Sequence, residues 1–223
     1  MALSSNRAAT LLAAVGGYVD TLGFVALFGL FTAHVTGNFV LIGAELARPS
    51  PGHGVLLKLL AFPSFVLAVA LARVVSKVCE RRQHSSLGWL MGGQAVLLTG
   101  FMLAGCLAQP LTTADAPLVL LAGCLGAAGM GLQNAAGRLA LAKLTPHTVM
   151  TGNVTQLVLD ATDLALGTAE PGVRERLFKL LWPVLAFAGG AIGGALAYMH
   201  LGFIAVLPAV LAVALVAWRG VQS

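Results

Sequence analysis

Charge is scarce in this 223-residue chain: Asp, Glu, Lys and Arg together make up 9%, against about 25% in an ordinary soluble domain. A soluble globular surface cannot be built from so few charges. Cysteine is nearly absent too, at three residues, and Cys79, Cys106 and Cys124 have no metal-ligand spacing. They read as small packing residues, with a Cys106–Cys124 link across one hairpin as the alternative. No metal or cofactor is expected. The chain has no HExxH, no GxSxG and no Walker A sequence, which argues against metalloprotease, hydrolase and nucleotide-driven chemistry and points away from an enzyme.

What is present is apolar. Hydrophobic residues make up 58% and the mean hydropathy is +0.91. A helical span consumes about 20 residues, so the chain is expected to be one transmembrane domain over 1–223 in contact with the lipid bilayer. The pI near 9.6 then reflects basic loops beside a membrane and not a nucleic-acid partner. The N-terminus has the charged start and apolar core of a signal peptide, yet its apolar run continues to Leu30, which favours a first span.

Eight helix-like elements are predicted, at about 8–31, 36–47, 55–78, 87–108, 117–141, 149–167, 176–199 and 202–218. The second, about a dozen residues, is too short to cross 30 Å of hydrocarbon. The sixth is long enough but carries Asn153, Gln156, Asp160 and Asp163. The elements repeat: "GYVDTLG" (17–23) matches "GLQNAAG" (131–137), "TGN" (36–38) matches "TGN" (151–153), and "LKLLAFP" (57–63) matches "FKLLWP" (178–183). Three matches in one order predict an internal duplication, with repeats at about 8–108 and 117–219.

Charge decides the topology. If the two short elements do not cross, eleven Lys and Arg residues fall on the cytoplasmic side and only Arg48 and Lys58 outside. If all eight cross, the split is six to seven. The positive-inside rule favours the first arrangement. The expected fold is therefore all-α: six transmembrane helices plus two re-entrant half helices, in two inverted-topology repeats with both termini cytoplasmic.

Inverted-repeat transporters bind substrate near the midplane, where broken helices point their N-termini at the ligand. The triplets suit that role. Thr36 and Thr151 can N-cap, Gly37 and Gly152 allow close backbone approach, and Asn38 and Asn153 offer amides. Free N–H groups there favour an anion or the negative end of a polar solute. Caps and turns alone are the other reading. Asp20, in the middle of the first span and matched by Asn134, is the candidate proton-coupling residue, since an ionisable group at that depth is costly. The alternative for Asp20 is a structural carboxylate packed against the re-entrant segments. Gln133 and Tyr18 are weaker neighbours. Arg138 either contacts an anion or snorkels to the surface. Asn38 with Glu45, and Asn153 with Asp160, stand seven residues apart on one helix face, Gln156 extending the second stripe. His34 and His147 precede the triplets as conceivable relays or as loop filler. "GGAIGGALA" from Gly189 and "GCLGAAGMG" from Gly123 predict close helix packing, and Pro63 and Pro183 predict tolerated prolines inside spans.

"GGYVDTLGFVALFGLFTAHVTGNFVLIG" and "GMGLQNAAGRLALAKLTPHTVMTGNVTQL" resemble the two signature regions of the YoaK-like family, small bacterial integral membrane proteins of unknown function. The resemblance covers nearly the whole chain and implies a multi-pass protein of the bacterial inner membrane with no established substrate. The residues favour a secondary transporter of a small polar or anionic solute, with proton coupling through Asp20. A passive channel on the same scaffold, or a membrane subunit with no transport of its own, are the alternatives, and a homodimer is compatible with so small a bundle.

Overall fold

The computed structural model describes residues 2–48, 54–148 and 150–222. Its helices are α1 (Ser5–Ala26), α2 (Gly37–Ala47), α3 (Val55–Arg81), α4 (Leu87–Leu107), α5 (Pro117–Leu139), α6 (Met150–Leu166), α7 (Val173–Leu201) and α8 (Leu207–Arg219), with a 3-10 turn at Gly202–Val206 before α8. Among the described residues there is no strand, only an isolated bridge between Leu3 and Val221.

The helices fall where the apolar runs predict them, with two differences. The first ends at Ala26 and not near residue 31, because Phe28 and Gly29 turn the chain through left-handed conformations, at φ 50° and 76°. The eighth element, predicted from residue 202, opens instead as a 3-10 turn at Gly202–Val206, Gly202 standing at φ 57°, and its α-helix starts only at Leu207. Val149, at the predicted start of the sixth element, lies outside the described residues.

Five stretches are long and apolar enough to cross a membrane: α1, α3, α4, α5 and the run Val173–Arg219. Leu67, Leu71, Trp89, Val96, Ile192 and Trp218 all stand exposed on these stretches. Such a surface belongs in lipid, where apolar side chains need no partner. This is a multi-pass membrane protein in contact with the bilayer. With 11 residues, α2 spans only about 16 Å.

The packing fixes the helix directions. At one end of the bundle the termini meet: the Leu3 N–H donates to the Gly220 carbonyl at 3.1 Å and the Gln222 N–H to the Leu3 carbonyl at 2.9 Å. Leu87 at the start of α4 and Leu139 at the end of α5 line one crevice with Ser5, Val221 and Gln222 at this same end. Gly54 abuts Ala114 at the other end, and Gly131 abuts Phe65 and Ala68, so α3 runs parallel to α5. Gly190 and Gly194 press on Ala14 and Tyr18, so α1 runs parallel to α7. It follows that α1 and α5 point in opposite directions. The predicted tight packing at both glycine-rich stretches is present. Cys79, Cys106 and Cys124 are free thiols, so the Cys106–Cys124 link does not form.

A methyl group on Gly190 would meet the backbone of Ala14, and one on Gly194 the backbone of Tyr18. Backbone cannot swing aside as a side chain can, so helix α7 must back away from α1. Gly190→Ala is expected to cost about 1–3 kcal/mol, read as a lowered melting temperature of the purified protein, whereas Gly189→Ala, with open space beside it, leaves stability unchanged.

Candidate functional site

Asp20 lies on α1, 3% exposed. Buried carboxylates need several donors, and the segment after α1 supplies them by folding back along it. Its Oδ1 accepts from the Ala33 N–H at 2.6 Å, the Thr32 hydroxyl at 3.3 Å and the His34 N–H at 3.4 Å. Its Oδ2 lies 2.6 Å from Nδ1 of His34. The His34 side chain is 41% exposed, whereas the Asp20 side chain is buried. Asp20 is thus packed against the segment leading into the first triplet, and it makes a short contact with a partly exposed imidazole.

The two asparagines of the triplets act alike. Asn38 accepts from the Phe31 N–H at 2.9 Å and donates to the Phe31 carbonyl at 2.8 Å. Asn153 donates to the Pro146 carbonyl at 2.5 Å. Each reaches back seven residues and each is buried, so these amides hold the incoming loop. That favours the structural reading for the asparagine side chains. The capping expectation for the threonines is corrected. Thr36 stands at the N-cap of α2 but makes no side-chain cap bond, and Thr151 lies inside α6, which begins at Met150. Thr36, Thr151 and Gly152 are exposed and Gly37 is half-buried.

Other predicted residues separate. The Tyr18 hydroxyl donates to the Ala205 carbonyl at 2.6 Å, tying α1 to the turn before α8. Gln133 sits fully buried between Gln94, whose Nε2 donates to it at 2.7 Å, and the Leu12 carbonyl, to which it donates at 2.8 Å. Gln94 was invisible as a site residue because one amide in an apolar run has no spacing to mark it. Glu45 pairs with Lys58 at 3.1 Å, the two side chains 10% and 2% exposed. Asp160 takes Arg176 through Nε at 2.8 Å and Nη2 at 2.6 Å, and Gln156 through Nε2 at 2.7 Å. The carboxylates of the two predicted helix-face stripes thus clip each short helix to the long helix that follows it.

Asn134 and Arg138 both line a cavity of about 580 Å³, with His147, Thr148, Gly152 and Asn153. A second cavity of about 520 Å³ lies beside Phe24, Glu45, Arg48 and Lys58. The two loops approach each other around α1: the His147 carbonyl lies beside Gly16, as does Phe187, and the His34 ring packs edge-on to Phe187 at 5.7 Å. Phe187, a single aromatic in an apolar helix, had no sequence signal. Among the described residues no group of His, Cys, Asp and Glu gathers as a metal site requires.

The profile of the family described as "Protein of unknown function (DUF1275)" matches residues 8–218. The chain is similar to the UPF0700 transmembrane protein YoaK of Bacillus subtilis (strain 168), at 30% identity over 156 residues, which cover 70% of this chain and 66% of that relative. No solved structure matches.

Proposed function

Since the chain belongs to the DUF1275 family of proteins of unknown function, we propose from its own geometry that it is a secondary transporter of a small polar or anionic solute in the bacterial inner membrane, coupled to protons through Asp20, and not an enzyme. In this reading α1, α3, α4, α5, α7 and the 3-10 turn with α8 cross the membrane, α2 and α6 are re-entrant, and both termini are cytoplasmic. Support comes from helix direction. The third helix of each half packs along the first helix of the other half, in parallel, while the two first helices oppose each other. Opposed first helices are what the inverted-repeat reading predicts. The end where the termini meet also carries the basic ends of α3 and α7, in agreement with the positive-inside rule.

The observation that carries the function is the pair Asp20–His34. A buried carboxylate that shares a 2.6 Å contact with a half-exposed imidazole, at the tip of a loop facing the other half through Phe187, can pass a proton between the protein interior and water. Each state of that proton changes how tightly Asp20 holds Thr32–His34, so protonation and loop position are linked.

The test is solute-driven proton movement in proteoliposomes loaded with a pH-sensitive dye and challenged with acetate, glycolate, alanine and uracil. A transporter gives a saturable dye response to one class, and Asp20→Asn abolishes the response while the variant still folds. A flux that does not saturate and survives Asp20→Asn assigns the protein to the channel reading instead.

A further inference from the structure

The two triplets are identical in sequence but differ in what covers them. A methyl group on Gly152 would have no described atom within 4 Å, and Gly152 borders the cavity that Asn134 and Asn153 also line. A methyl group on Gly37 would lie 3.1 Å from the ring of Phe31. That ring also stacks on Phe24 of α1, with centroids 4.7 Å apart and planes tilted by 37°. Phe31 thus sits between α1 and the start of α2. On one side of the pair is the cavity beside Lys58, at the end away from the termini, which Phe24 lines. On the other side is His34, whose ring stands edge-on to Phe31 at 6.4 Å and which contacts Asp20. Neither Asp20 nor His34 lines that cavity.

We infer that the Phe24–Phe31 pair is the barrier that closes the path from the cavity beside Lys58 to Asp20 and His34. Rings that meet across a narrow crevice exclude water, and a dry apolar constriction stops ions and protons without carrying any charge. The second half shows what the same place looks like without the pair. Phe24 lies four residues after Asp20, where Arg138 lies four after Asn134. Asn38 bonds the backbone of Phe31, where Asn153 bonds that of Pro146. Arg138 and Pro146 both border the open cavity at the second triplet, so one end is shut and the other open. Because Asn38 holds both the N–H and the carbonyl of Phe31, the barrier opens by rotation of the ring or by release of the whole loop. The inference rests on the transport reading for the proton path that the pair closes.

The experiment is passive proton leak in proteoliposomes carrying a pH-sensitive dye, with a pH step, potassium and valinomycin to balance charge, and no solute. Wild-type vesicles are expected to hold the step. Phe31→Ala is expected to dissipate it roughly tenfold faster or more, and Phe31→Leu, which keeps most of the bulk, to stay near the wild type. Phe24→Ala leaves the backbone bonds of Phe31 in place and gives the same leak, so it carries the test if Phe31→Ala does not fold. Adding Asp20→Asn to either alanine variant removes the extra leak. Phe39→Ala, which breaks the other aromatic contact of α2, with Phe62 at 4.9 Å, leaves the vesicles tight. Alanine variants as tight as the wild type overturn the inference, and so does a leak that Asp20→Asn does not reduce. A leak that Asp20→Asn removes, in a protein whose wild type gives no solute-driven response, overturns the transport reading and leaves the barrier standing. A saturable solute response in the wild type, with tight alanine variants, does the reverse.

Discussion

Lys58→Met is expected to lower the melting temperature by on the order of 10 °C, the equivalent of about 3–5 kcal/mol. The Lys58 ammonium is 2% exposed and donates to the Phe28 carbonyl at 2.8 Å and to Glu45 Oε1 at 3.1 Å. Three elements meet at this one group: the turn after α1, the last turn of α2 and the first turn of α3. Phe28 is held there at φ 50°, a conformation that a non-glycine residue keeps only when its surroundings impose it. Methionine fills the same volume but carries no charge, so it removes the ammonium from beside the Glu45 carboxylate. The double variant Lys58→Met, Glu45→Gln is therefore expected to recover more than half of the loss, because a neutral amide costs less to bury than a carboxylate. Thermal unfolding of both variants in detergent decides the point. A single variant as stable as the wild type would mean that the pair contributes nothing, as for many exposed pairs.

The second large effect is at Asp20, where two substitutions separate structure from charge. Asp20→Ala removes the acceptor for Ala33, Thr32 and His34 together, leaving buried donors unsatisfied at about 1–3 kcal/mol each. A loss of about 3–5 kcal/mol is expected, with the loop before α2 released. Asp20→Asn keeps an oxygen for Ala33 and Thr32 and loses only the charge facing His34. It is expected to stay within about 1–2 kcal/mol of the wild type while losing proton-coupled transport. If Asn and Ala destabilise equally, the negative charge itself holds the loop, and the carboxylate is structural.

Much of the architecture could be read in the sequence, and the reason is physical. A membrane span must be continuously apolar, so the runs stand out and their ends fall at Gly, Pro or charge. The recurrence of "TGN" at matching places is what suggests a repeat. What the triplet does was not legible. Residue type says that Asn38 must bond something, but only the fold-back of the chain brings Phe31 under its amide. Likewise Glu45 and Asp160 looked like solvent-facing stripes, because their partners Lys58 and Arg176 belong to the next helix. His147 could be read in the sequence as a relay or as loop filler, and its near-complete burial was in neither reading.

The exchange of helices between the two halves also sets a clock. Helix α1 ends at Ala26 and its main companion α7 ends at Leu201, so a ribosome adding about 5–20 residues per second needs roughly 10–30 s between the two. Throughout that delay α1 waits in the bilayer with the glycine face that will receive α7 uncovered. The first half cannot finish folding by itself, and a chain interrupted before residue 173 is left with Asp20 of α1 on a helix that lacks its main packing partner.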